Sequence, residues 1–153
     1  MALTDAFTQT AGGWKGTKTV WPGPDADAIS SDVWLDARLA ARGKSLVLSY
    51  DWTASGEAQQ GELGFSISTD LATAQGWWID SWHNDDAVMQ LTGRVTESNV
   101  VMLSGTFPVS DGPDWGWDIQ ISTTETEMDI VMWVIPPGET GMLGVRYELI
   151  KST

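Results

Sequence analysis

Cysteine is absent from the 153-residue chain, and histidine occurs once, at His83. Without a thiol there are no disulfides, no thiolate metal sites and no cysteine nucleophile. A zinc site would have to be built from carboxylates and that single imidazole, so no metal and no other cofactor is expected. Basic residues are also scarce: 8 Lys and Arg stand against 21 Asp and Glu, a formal net charge of −13. Such a surface repels polyanions, which sets aside nucleic acid and anionic membranes and leaves a small molecule as the expected partner. Long apolar runs are missing too. The longest, Ile130 to Ile135, falls far short of the ~20 residues that cross a bilayer. The opening Met-Ala-Leu-Thr-Asp-Ala-Phe has neither the basic segment nor the apolar core of a secretory leader, so a cytoplasmic location is expected. An exported mature form given a new start codon would read the same.

Tryptophan is what the chain has in excess. There are ten, at 14, 21, 34, 52, 77, 78, 82, 115, 117 and 133. Indoles are wide, flat and amphipathic, so a β-protein rich in them either fills a large interior or stacks them on a flat ligand. A length of 153 residues fits one domain, 1–153, with residues 1–12 read as an N-terminal tail.

From Trp14 onward the chain alternates apolar and polar residues in about ten segments split by turn residues, without a sustained helical period. Val33, Leu35, Ala37 and Leu39 oppose Asp32, Asp36 and Arg38; Leu46, Leu48, Tyr50 and Trp52 oppose Ser49 and Asp51; Trp117, Ile119 and Ile121 oppose Asp118, Gln120 and Ser122. Short turns, such as Asn84-Asp85-Asp86 and Glu97-Ser98-Asn99, join consecutive strands into an antiparallel meander. An open sheet of ten strands would expose two sticky edges. Closure into an up-and-down barrel removes them and, above about eight strands, leaves room for a ligand. The expected fold is therefore an all-β, closed antiparallel barrel from Trp14 to Ile150, its first and last segments paired.

Gly12-Gly13-Trp14-Lys15-Gly16 resembles the G-x-W start of the lipocalin and fatty-acid-binding superfamily, the calycins. Val20-Trp21-Pro22-Gly23, Gly61-Glu62-Leu63-Gly64-Phe65, Trp78-Ile79-Asp80-Ser81 and Tyr147 follow in an order similar to that of a bacterial family of lipocalin-like domains of unknown function. The resemblance runs from about Gly12 to Ile150 and implies a ten-stranded barrel that binds a small molecule. It supplies no established substrate, cofactor or catalytic residue. Nitrobindin-like barrels, which bind haem, have a further glycine where this chain has Lys18 and take their iron ligand from a later histidine. No histidine follows His83 here, and that residue reads as a solvated turn residue. Many calycins also pack a cation over the opening Trp; Lys151, on the same alternating face as Tyr147 and Leu149, is the candidate.

With the apolar faces inward, Trp14, Lys18, Leu48, Tyr50, Trp52, Phe65, Trp117, Met132 and Tyr147 line the lumen. The fifth strand has indoles on both faces, Trp77 on one and Trp78 and Trp82 on the other. Asp80, between the latter two, would be desolvated if inward, raising its pKa. The expected ligand-binding set is thus Lys18, Tyr50, Trp52, Trp78, Asp80 and Trp117, with Trp14 and Lys151 closing the barrel. Lys18 either finds an interior partner or snorkels to the rim. The favoured function is binding of a mostly apolar small molecule. Two alternatives stay open: a carbohydrate-binding module, which needs an outward planar row of indoles around Trp34, and an acid–base enzyme using Asp80. Oligomeric state is open, a homodimer included.

Overall fold

Period-two alternation becomes ten strands in the computed structural model, which describes residues 5–68, 72–84 and 87–152. A helical turn, α1 (Asp5–Thr8), precedes β1 (Gly12–Val20), β2 (Ile29–Ala40), β3 (Ser45–Ala54), β4 (Glu57–Ile67) and β5 (Thr73–Asp80). They are followed by β6 (Met89–Val95), β7 (Val101–Phe107), β8 (Trp115–Thr123), β9 (Glu127–Ile135) and β10 (Met142–Lys151). Each strand pairs antiparallel with the next, and β1 pairs with β10 to close the barrel. The seam sets Trp14 opposite Lys151 and Lys18 opposite Tyr147. It is tight: a Cβ on Gly16 would collide with the backbone carbonyl of Glu148. Only glycine permits that approach.

Alternation also decides what lies inside. On β2, Val33, Leu35 and Ala37 are buried while Trp34, Asp36 and Arg38 face out. Burial of the inward set from all ten strands makes one continuous core, the dominant stabilising term at roughly 25 cal/mol per Å² of apolar surface. The exposed Trp34, 56% accessible, has Lys15 and Asp51 as cross-strand neighbours. The indole row that a carbohydrate platform requires does not form around it.

The two ends of the barrel differ. At one, α1 falls within the segment read from sequence as a tail, and Phe7 is fully buried with its ring edge-on to Phe65 at 5.5 Å. An apolar residue directed at an open barrel end has an interior to enter, and that docking is what orders the segment. Trp14 Nε1 donates to Thr10 O at 2.8 Å. Lys151 Nζ sits 5.7 Å from the Trp14 ring centroid and donates to Gln9 O at 2.7 Å. The opposite end, where the β1–β2, β3–β4, β5–β6, β7–β8 and β9–β10 connections lie, is the mouth. Asp85 and Asp86 of the expected turn lie outside the described residues.

Trp14 is 1% exposed and holds both α1 and the seam. Trp14→Ala is expected to lower unfolding free energy by about 3 to 5 kcal/mol, as large aromatic truncations do. Urea denaturation measures this; a change within error would make Trp14 peripheral.

Candidate functional site

One row of the sheet explains why a carboxylate can sit inside the barrel. Tyr50 on β3 pairs with Gly61 on β4, which pairs with Asp80 at the end of β5. Gly61 has no side chain, and a Cβ there would strike the Tyr50 phenol. The ring therefore lies across the glycine and delivers its hydroxyl to Asp80 Oδ2, donating at 2.7 Å. Trp52 Nε1 donates to the same oxygen at 3.2 Å, and Lys18 Nζ, reaching from β1, at 3.5 Å. Trp78 Nε1 donates to Tyr50 Oη at 3.0 Å. The other oxygen, Oδ1, accepts the backbone N–H groups of Trp82 at 2.8 Å and His83 at 3.1 Å. Asp80 thus ends β5 with an Asx-type turn while binding three side chains in the lumen.

Both members of the ion pair are buried, Lys18 at 0% and Asp80 at 1% exposure. Lys18 does not snorkel. Its ammonium lies 3.3 Å from the Trp52 ring centroid, with the Tyr147 ring 5.0 Å away, so aromatic faces replace part of its lost hydration. Burial still dominates and lowers its pKa to about 7 against the pull of Asp80. Asp80 moves opposite to the sequence expectation. Burial would raise it, but the Lys18 charge and the hydrogen bonds from Tyr50 and Trp82 outweigh that and hold it below the ordinary carboxylate value. Desolvation read from flanking residues alone misses these partners, which arrive from distant strands. Burial, the largest cause, raises both tyrosine hydroxyls well above 10.0. Tyr147, its ring edge-on to Tyr50 at 5.2 Å, makes no well-aligned hydrogen bond through Oη among the described residues.

His83 is not the solvated residue its Asn-Asp-Asp neighbourhood suggested. The Asp80 turn folds it over the mouth, its ring stacked on Trp52 at 5.7 Å, tilted 5.5 Å from Trp78 and edge-on to Trp82 at 4.7 Å. Burial, then the Lys18 charge, depress its pKa to about 3 despite Asp80. It is a neutral imidazole at pH 7. Trp82, expected on the Asp80 face of the strand, instead lies in the turn and is 41% exposed.

All six residues nominated for ligand binding fall in one contiguous cluster, since Trp117 on β8 stacks on Trp78 at 5.0 Å with an interplanar angle of 11°. Of the six, Tyr50 and Asp80 also border a hollow on the outside of the sheet, whereas the open space at the mouth falls to Trp78 and Trp117. They wall a cavity of about 210 Å³ at the mouth, together with His83, Asn84, Ala87, Val88, Met89, Thr106, Phe107 and Pro108. Sequence reasoning missed the last eight. An aspartate at the end of a strand, a former of Asx turns, was the one local signal that the chain folds back there. A larger hollow of about 520 Å³ lies on the outside of β3, β4 and β5, edged by Ser49, Asp51, Gln60, Glu62 and Ser81. It is an open groove whose polar groups already bond one another, as in Gln60 to Asp51 at 2.8 Å and Ser81 to Gln59 at 2.7 Å. The mouth cavity is the better candidate because aromatic side chains line it.

This architecture is shared with solved structures. The S-type phycobiliprotein lyase CPES of Guillardia theta superposes with a TM-score of 0.65 and 12% identity, covering 100% of this chain and 94% of that one. Rv2717c of M. tuberculosis gives a TM-score of 0.69 at 11% identity, covering 99% of both chains. The likeness is one of fold. What is shared is the β-barrel fold, which this chain builds from ten antiparallel strands. No protein-family model matches the chain, and no curated protein matches it in sequence.

Haem, which nitrobindin-like barrels bind, does not fit this mouth. The one imidazole is wedged among Trp52, Trp78 and Trp82 with Nε2 buried. The cavity of about 210 Å³ is below even the ~300 Å³ at which drug-sized ligands begin to fit.

Lys18 also gives the barrel a pH signature. Its pKa is about 7 folded and 10.5 in the unfolded chain, so between those values the unfolded state holds more protons and stability rises with pH. The rise ends near 10.0, where the raised Tyr50 and Tyr147 begin to act in the opposite direction. Urea unfolding between about pH 7 and 10 is expected to show this positive slope in the wild type and a flatter one in Lys18→Met; equal slopes would contradict the assignment.

Proposed function

We propose that this chain binds a small, mostly apolar molecule at the mouth of its barrel, in the space between Trp78, Trp117, Met89 and Phe107. The observation that carries the reading is the half-open cavity of about 210 Å³ floored by the stacked Trp78–Trp117 pair. A dry cavity of about 150 Å³ lined by aliphatic and aromatic side chains is enough to bind benzene. The mouth is thus sized for a ligand of one or two rings. Met89 adds an adaptable wall and the indoles add contact area with little conformational entropy to lose.

In this reading the buried cluster beneath the mouth orients the walls. Asp80 has its two oxygens taken by Lys18, Tyr50, Trp52 and the Trp82 and His83 amides, so it acts on the ligand through the turn it anchors. An acid–base role draws little support from a carboxylate so fully engaged. The G-x-W start and the W-x-D-S segment support kinship with the bacterial lipocalin-like domains, and the fold shared with a phycobiliprotein lyase is consistent with a barrel that holds a ligand.

Naphthalene titrated into the protein is expected to quench tryptophan fluorescence saturably. Trp117→Ala should weaken this at least tenfold, and Trp34→Ala, which removes an exposed indole elsewhere, should leave it unchanged. Absence of saturable binding to the wild type would remove the proposal.

A further inference from the structure

The mouth cavity is not uniformly apolar. Three polar atoms of its lining residues are buried without a hydrogen-bond partner among the described residues: His83 Nε2, Asn84 Oδ1 and Trp117 Nε1. A buried donor or acceptor left unmade costs about 1 to 3 kcal/mol, and native interiors leave few of them. Gathering three in one small wall concentrates a cost that a bound partner would relieve.

The chemical sense of each atom is determined by what surrounds it. An indole Nε1 is a donor and nothing else. The Asn84 amide is oriented by its own nitrogen, which donates at 3.4 Å to two carbonyls, Trp78 O and Ala87 O. The flipped amide would set oxygen against oxygen, so Oδ1 is the orphan and accepts. His83 Nε2, on a neutral ring, donates or accepts according to tautomer. The residues of the wall therefore carry one fixed donor, one fixed acceptor and one adaptable group, each covered as the side chains stand, beside the flat Trp78–Trp117 stack.

We infer that the mouth selects planar heteroaromatic molecules of one or two rings that carry both a hydrogen-bond acceptor, for Trp117 Nε1, and a donor, for Asn84 Oδ1. Lactams and related cyclic amides are the simplest members of this class. His83 complements whichever polar edge remains. Small rotations of the side chains bring the three atoms to the ligand, which takes the place of the partners they lack. The inference rests on the mouth being the binding site and adds to it a rule of polar selection.

The test is a matched series on the wild-type protein by isothermal calorimetry: naphthalene, carbostyril (a bicyclic lactam of nearly the same shape) and N-methylcarbostyril. Carbostyril is expected to bind at least tenfold tighter than naphthalene, and methylation of its nitrogen, which removes the donor, should cancel most of that gain. Trp117→Phe keeps a stacked ring but no N–H. In this variant the ratio of carbostyril to naphthalene affinity, both measured on the same protein, should fall at least threefold below the wild-type ratio. In the wild type the Trp117 indole N–H resonance, identified by its loss in that variant, should shift on adding carbostyril and much less on adding naphthalene. Should Trp117→Phe fail to fold, the three-ligand series decides alone. Equal binding of naphthalene and carbostyril overturns polar selection but leaves the apolar mouth in place. No binding of any member overturns both.

Discussion

A carboxylate excluded from water has to be matched donor for donor, and the architecture around the mouth follows from that requirement at Asp80. One oxygen gathers β1, β3 and β5 through Lys18, Tyr50 and Trp52; the other fastens the turn that carries Trp82 and His83. Removing one partner of such a set leaves a buried charge uncompensated, which is far costlier than never having buried the pair. The cluster consequently acts as a rigid floor. The aromatic rings above it hold their positions because the groups beneath them have no alternative partners.

The barrel is thereby divided by function. Its closed end is maintained by apolar and cation–aromatic contacts, with Phe7 in the core and Lys151 over Trp14. Its mouth is maintained by a polar network whose upper surface is aromatic. Strands that bury one face and wet the other can be cut and redirected at the mouth without disturbing the closed end, which is the usual division between scaffold and site.

Alternation along the strands made the all-β barrel and its closure legible, because a period of two on so many short segments admits few other folds. Facing on β5 was harder to read, since an indole stands on each side of it. The structure resolves the choice through glycine: Trp77 lies outside, flat over Gly64 on the neighbouring strand, with Nε1 donating to Glu62 at 3.2 Å. Tyr50 covers Gly61 in the same manner on the inside. Aromatic rings covering cross-strand glycines are a known device of sheets, but they appear in a sequence only once register is known. The lowered pKa of Asp80 and the half-buried position of His83 were hidden for the same reason. The first depends on Lys18 and Tyr50 and the second on Trp52, all distant in the chain from the turn they meet.

Amide hydrogen exchange in Asp80→Asn tests the hub most directly. Asparagine has one acceptor oxygen, which stays with Lys18, Tyr50 and Trp52 because that side holds three donors against two; its NH₂ then faces the Trp82 and His83 amides, donor against donor. The account predicts exchange at those two amides at least tenfold faster than in the wild type, with protection along the β1–β10 seam unchanged. Unaltered exchange at Trp82 and His83 would contradict it.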